Sequence, residues 1–182
     1  MPDLNGLRVA CLATNGFEDS ELTEPVKALR DNGAQVDIIS PESGTISGKK
    51  GTPVQVDRVL SEARPEDYGA VLLPGGGTNA DHLRMNLDVQ SFLKVANGEG
   101  KPFAAICHAP WELISAGLAR GRTMTGYYTI QDDIRNAGAT YVDREVVVDG
   151  NLVTSRQPSD IPAFNREMLQ LFALVPAGNK GA

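Results

Sequence analysis

Four short, mostly apolar runs punctuate the chain, at residues 7–13, 35–40, 70–73 and 102–106. Each stops at a loop signal: Thr14-Asn15-Gly16, Pro41, Pro74-Gly75-Gly76-Gly77 and Cys107-His108. Runs this short, apolar on successive rather than alternate residues, predict strands covered on both faces. The stretches between them repeat apolar residues at helical spacing. Leu22, Val26, Ala28 and Leu29 form one stripe, with Asp19 or Ser20 as cap and Asn32-Gly33 as the stop; Pro25 predicts a kink there, or a start near Glu24. Further helices are predicted over about 79–96 with a break at Asn86, over 109–118 with Pro110 in the first turn, around 130–134, and after Ser159-Asp160. A short strand is expected near Thr123. Residues 141–148 and 152–155 read as a hairpin turning at Asp149-Gly150-Asn151. Residues 43–57, rich in Gly, Lys and Thr, read as a surface excursion without identifiable chemistry.

Strands alternating with helices define an α/β fold, a mostly parallel sheet with helices on both faces. A single domain over residues 1–174 and a flexible tail over 175–182 are expected. Ligands of such sheets sit beyond the carboxyl ends of the strands, which directs attention to the loops after Ala13, Leu73 and Ile106.

Composition narrows the partners. Seventeen Lys+Arg against 23 Asp+Glu give a net charge of -6, the wrong sign for neutralising phosphate polymers or anionic lipid. Neither nucleic acid nor a membrane surface is expected as a partner. Two cysteines, Cys11 and Cys107, make no disulfide framework and suit a reducing compartment. The first residues lack a signal-peptide pattern and no stretch reaches the length of a membrane span, so a cytoplasmic location is expected. Two histidines and two cysteines without ligand spacing imply no metal, and no cofactor is expected.

Cys107 ends a predicted strand and opens a predicted helix, where a helix dipole would favour its thiolate; Ala105 and Ala109 leave room for a tight elbow. His108 either serves as its base or packs the turn. Gly75 and Gly76, with the N–H of His108, could supply oxyanion donors. Glu18 could lean into the site as a carboxylic acid of raised pKa, while Asp19 reads as a helix cap. Cys11 reads as strand filling and His82 as surface.

Gly16-Phe17-Glu18-Asp19-Ser20-Glu21-Leu22, Leu73-Pro74-Gly75-Gly76, Ala105-Ile106-Cys107-His108-Ala109-Pro110, Val153-Thr154-Ser155-Arg156 and Pro162-Ala163-Phe164 occur in the order seen in the ThiJ/PfpI superfamily. The chain resembles its PfpI-type branch of intracellular peptidases and general stress proteins. The resemblance implies a flavodoxin-like three-layer sandwich, related to class I glutamine amidotransferases and associating as a dimer or hexamer. It also implies Cys107 as nucleophile, Glu18 as the acid bonded to its sulfur, and His108 oriented by an acid of a neighbouring subunit. The nearest equivalent of that acid here is Asp81. The activities implied are glutathione-independent glyoxalase or deglycase chemistry on small reactive carbonyls or glycated protein and nucleotide groups. Peptidase action, and a non-enzymatic role as redox sensor or chaperone, are the alternatives.

Overall fold

Strands buried on both faces need two helical layers, and the computed structural model, which describes residues 2–181, supplies them. In chain order it contains β1 (Arg8–Leu12), α1 (Asp19–Asp31), β2 (Gln35–Ser40), β3 (Thr45–Ser47), β4 (Pro53–Gln55), β5 (Arg58–Val59), β6 (Ala70–Leu73), α2 (Gly77–Arg84) and α3 (Leu87–Gly98). There follow β7 (Phe103–Ile106), α4 (Pro110–Ser115), β8 (Thr123–Met124), α5 (Gln131–Asn136), β9 (Thr140–Tyr141), β10 (Val147–Asp149), β11 (Leu152–Ser155) and α6 (Ile161–Ala173).

Seven strands form the central sheet in the order β10-β11-β7-β6-β1-β2-β5, parallel throughout except for the β10–β11 pair. The pleat divides β1 between two cores. Val9 and Cys11 pack with Leu22, Val26 and Leu29 of α1 and Phe164, Met168 and Phe172 of α6. Ala10 and Leu12 join Leu83, Phe92, Leu93 and Leu113 of α2, α3 and α4 on the other face. The fold is therefore the flavodoxin-like α/β sandwich. Because β1, β6 and β7 are neighbours at its centre, the loops after them open side by side at one end.

Several expectations are corrected. Helix α1 starts at Asp19 and carries Pro25 inside it, without the later start near Glu24. The hairpin is shorter than the sequence implied: only 147–149 pairs with β11, while Tyr141 lies in β9 beside β8. Nor is the C-terminal stretch loose over its described part. Val175 is buried, the Lys180 carbonyl accepts the Arg8 N–H at 2.8 Å, and Lys180 Nζ donates to the Asn5 carbonyl at 2.8 Å. The break at Asn86 is present, and the Asn86 side chain caps α3 by accepting from the N–H groups of Asp88 and Val89.

A cavity of about 630 Å³ lies at the amino-terminal end of β6 and β7, bordered by Gly69, Pro102, Asn151 and Pro176, away from every candidate residue. Among the described residues no helix is long and apolar enough to cross a membrane.

Glu112 carries an uncompensated burial cost. It is fully buried on the inner face of α4, with Leu113 and Ala116, and neither carboxylate oxygen has a hydrogen-bond partner. Burial raises its pKa well above the ordinary carboxylate value. The folded state therefore keeps a proton that the unfolded chain releases above about pH 4.3, so stability falls as pH rises from there toward the folded pKa. Glu112→Met is expected to raise stability at neutral pH by about 1–3 kcal/mol and to flatten that decline. Denaturant titrations of both proteins from pH 4 to 8 check it; a variant less stable than wild type at pH 7 would refute it.

Candidate active site

Strand β7 delivers Cys107 into a turn too tight for ordinary backbone geometry. Its φ of 66° is the only positive value for a non-glycine among the described residues. The turn is held at both ends: the Cys107 N–H donates to the Ser155 carbonyl at 3.0 Å, and its carbonyl accepts the Tyr127 N–H at 2.8 Å. Ala105 and Ala109, both wholly buried, leave room for the reversal. Adjacent residues on a regular helix would diverge, but the elbow brings His108 Nδ1 to 3.2 Å from Cys107 Sγ. The imidazole is packed between Tyr127, stacked at 4.8 Å, and Trp111, edge-on at 5.1 Å.

The turn after β6 forms the opposite wall. A side chain at Gly75 would strike the Glu21 carboxyl and would meet Cys107 Cβ at 2.6 Å. At Gly76, where φ is 101°, it would meet the Gly16 carbonyl oxygen at 2.5 Å and the Glu18 nitrogen at 2.6 Å. The turn thus presses backbone against sulfur, and the N–H groups of Gly76 and His108 both favour the thiolate. Asn79, fully buried, secures it. Its Nδ2 donates to the carbonyls of Pro74 and Gly75 at 3.1 and 3.2 Å, and its Oδ1 accepts the Thr14 N–H at 2.7 Å.

The carboxyl at the sulfur is Glu21, not Glu18. Glu18 stands at the N-cap of α1 in extended backbone, so its side chain leaves the helix toward the β3–β4 hairpin, 3.8 Å from Lys49 Nζ and 4.0 Å from Lys50 Nζ. Glu21, one turn further, lies on the buried face with Leu22 and Pro25. Its carboxyl faces the Cys107 thiol and the Gly75 N–H without a well-aligned hydrogen bond to either. Burial, with the Glu18 charge second, pushes it up to about 8, so Glu21 is protonated at neutral pH. A carboxylate on an otherwise apolar helical face was the signal the sequence offered.

The thiol also differs from expectation. Burial first, and then the Glu21 charge, push its pKa up, against the pull of the two N–H groups. The predicted dipole effect is weak because α4 begins only at Pro110 and is short. Protonation of Glu21 removes the repelling charge and turns the carboxyl into a donor toward sulfur, so the two groups titrate as a pair. His108 is pushed down by burial and by Lys49, which leaves a neutral imidazole able to accept a proton. Asp19 caps nothing; its carboxylate accepts the N–H groups of Lys50 and Thr52 at 2.8 and 3.0 Å, fastening the hairpin to the start of α1. Asp81 is exposed on α2, without a bond to His108 of its own chain. Cys11 is buried inside β1 and His82 is exposed. Among the described residues no cluster of three or more metal-ligating side chains forms.

A doubly wound α/β sandwich with a cysteine at a strained strand-to-helix elbow, facing a buried glutamate, defines a class of cysteine-centred proteins. Residues 7–171 match the DJ-1/PfpI family, and the chain belongs to it. It is 47% identical over 169 residues to General stress protein 18 of Bacillus subtilis, a match covering 91% of this chain and 98% of that one. It is 46% identical over 167 residues to Protein/nucleic acid deglycase 2 of Escherichia coli, covering 90% and 96%. The structure of Drosophila melanogaster DJ-1beta superposes with a TM-score of 0.87 at 27% identity, covering 92% and 90%.

The first proton of the Glu21–Cys107 pair is lost mainly from Glu21, and a small, fixed fraction of the singly deprotonated pair carries the thiolate with the remaining proton on Glu21, so the thiolate population grows with that loss. Alkylation of Cys107 by iodoacetamide is therefore expected to accelerate as pH rises through the Glu21 value of about 8, and Glu21→Gln to lose that midpoint. Coincident pH profiles for the two proteins would show that Glu21 does not titrate with the sulfur.

Proposed function

We propose that the protein is a cofactor-free, cysteine-dependent enzyme acting on reactive carbonyls, of the glyoxalase or deglycase type, in the cytoplasm. The observation that carries this reading is the buried Glu21 carboxyl facing the elbow thiol, where burial raises its proton affinity. Carbonyl conversion needs a nucleophile, an acid that can hand a proton between neighbouring atoms, and donors for an oxyanion.

With methylglyoxal, Cys107 Sγ adds to the aldehyde carbon, and the resulting oxyanion is met by the N–H groups of Gly76 and His108. Protonated Glu21 gives its proton to that oxyanion, and the carboxylate so formed takes the C1 proton and returns it to C2 through an enediol. The hydroxyl proton passes from the C1 oxygen to the C2 oxygen, which yields a lactoyl thioester on Cys107. Water then cleaves the C–S bond, with neutral His108 accepting its proton, and lactate leaves with the thiol restored. A glycated amine or guanidine carries the same two-carbon unit. Thiol attack on its adduct would release the amine, which suits a chain whose relative is named a deglycase. The net charge of -6 favours small adducts or protein side chains over a nucleic-acid polymer.

Self-association as a dimer or hexamer belongs to the same reading. Asp81 is exposed on α2, and Met85 and Leu87 at its end expose 72% and 75% of their surface, so this region is open to a second copy, whose acid would orient His108.

Cys107→Ala is expected to abolish conversion of methylglyoxal to lactate without glutathione, and Glu21→Gln to lower kcat by about 10²–10⁴-fold. Glu18→Gln should retain most activity. Lactate formation by wild type no faster than by Cys107→Ala would sink the proposal, and Cys107-dependent cleavage of unfolded casein in the same preparation would favour a peptidase.

A further inference from the structure

The β3–β4 hairpin carries two lysines to the rim of the thiol site. The Lys49 N–H donates to the Phe17 carbonyl at 2.8 Å, the N–H of Lys50 is held by Asp19, and the Ser47 N–H donates to Asn15 Oδ1 at 2.8 Å. The backbone beneath the two side chains is therefore fixed to the same loop that carries Glu18. The side chains themselves extend into solvent, 68% and 76% exposed. Their one shared counter-ion is Glu18, at separations of 3.8 and 4.0 Å that are long for hydrogen-bonded ion pairs. The Asp19 carboxylate beneath the tip is taken up by the N–H groups of Lys50 and Thr52, and among the described residues only Glu18 lies within 4 Å of either ammonium group, so both cations stay loosely paired at the rim of a chain whose overall charge is -6. The Lys49 charge also reaches the reacting groups, since it disfavours imidazolium at His108 and favours carboxylate at Glu21.

We propose that Lys49 and Lys50 form an anion subsite beside Cys107, occupied by Glu18 in the free protein, so that preferred substrates are carbonyl compounds bearing a carboxylate or phosphoryl group near the reacting carbon. As a statement about substrates this rests on the carbonyl chemistry proposed above. The arriving anion displaces the Glu18 carboxylate from the lysines, which leaves Glu18 to solvent. A local cation pair on an anionic protein selects small anions, because a polyanion also meets the repulsion of the whole surface. The same carboxyl–lysine arrangement explains why Glu18 is near the site without facing the sulfur.

The test compares alkylation of Cys107 by iodoacetate and by iodoacetamide, which share a leaving group and differ in charge, so their rate ratio cancels changes in the thiol itself. In Lys49→Met/Lys50→Met the iodoacetate-to-iodoacetamide ratio is expected to fall roughly five- to tenfold at low salt, in Glu18→Gln to rise, and in wild type to fall as sodium chloride is added. A ratio unchanged within about twofold in the double lysine variant overturns the subsite.

A second arm measures kcat and KM for two aryl glyoxals with the same free aldehyde, 4-carboxyphenylglyoxal, which carries a carboxylate, and neutral phenylglyoxal. Wild type is expected to prefer the acid and the double variant to lose that preference through KM. Equal preference in both proteins overturns the substrate assignment. Turnover of neither glyoxal above the Cys107→Ala level overturns the carbonyl chemistry instead, and the alkylation ratio then decides the subsite alone.

Discussion

Everything at the catalytic end of the molecule depends on the left-handed backbone of Cys107. A non-glycine residue at φ 66° is strained by roughly 1–3 kcal/mol, and the strain persists only where surrounding bonds determine the conformation. Here the Ser155 carbonyl on one side and the Tyr127 N–H on the other do so. The return is geometric: sulfur, imidazole and the His108 N–H converge on one point, which no regular helix start would allow. The neighbouring β11 and the 125–127 segment therefore belong to the site, the second also through Tyr127 stacked on the His108 imidazole.

That elbow in turn restricts what stands opposite. Gly75 and Gly76 lie so close that a Cβ at either would displace backbone or the Glu21 carboxyl, and Asn79 spends its whole amide holding the turn there. With water thus kept from Glu21, its proton affinity rises into the neutral range, and a carboxylic acid becomes available where an exposed glutamate would be ionised. The thiol's own pKa moves in the unhelpful direction, so the sulfur depends on its neighbour for charge balance more than on the helix behind it.

The sheet was legible in the sequence because its central strands are apolar on successive residues and each ends at a loop signal, and Cys107 was legible because it stands at such an end. Glu21 was hidden by the habit of reading charge as exposure; counted with Leu22, Pro25, Val26 and Leu29, it falls on the buried face of α1. Lys49 and Lys50 were illegible for a different reason. They reach the site only through bonds spanning about thirty residues, from Lys50 and Thr52 to Asp19 and from Ser47 to Asn15, which no local pattern announces. Tyr141 was assigned to the wrong pairing because its true partner, β8, precedes it across an intervening helix.

The fastening of that hairpin has one more consequence, for how the surface can vary in length. An exposed excursion such as residues 43–57 ordinarily tolerates added residues anywhere along it. In this chain the tip is committed: two of its N–H groups end on the single carboxylate of Asp19, and a side chain at Gly48 would collide with that carboxylate. Nearer the base, a Cβ at Gly44 meets nothing within 4 Å, and residues added there leave both bonds to Asp19 in place. The tip between Ser47 and Pro53 keeps its length for as long as the site keeps its rim.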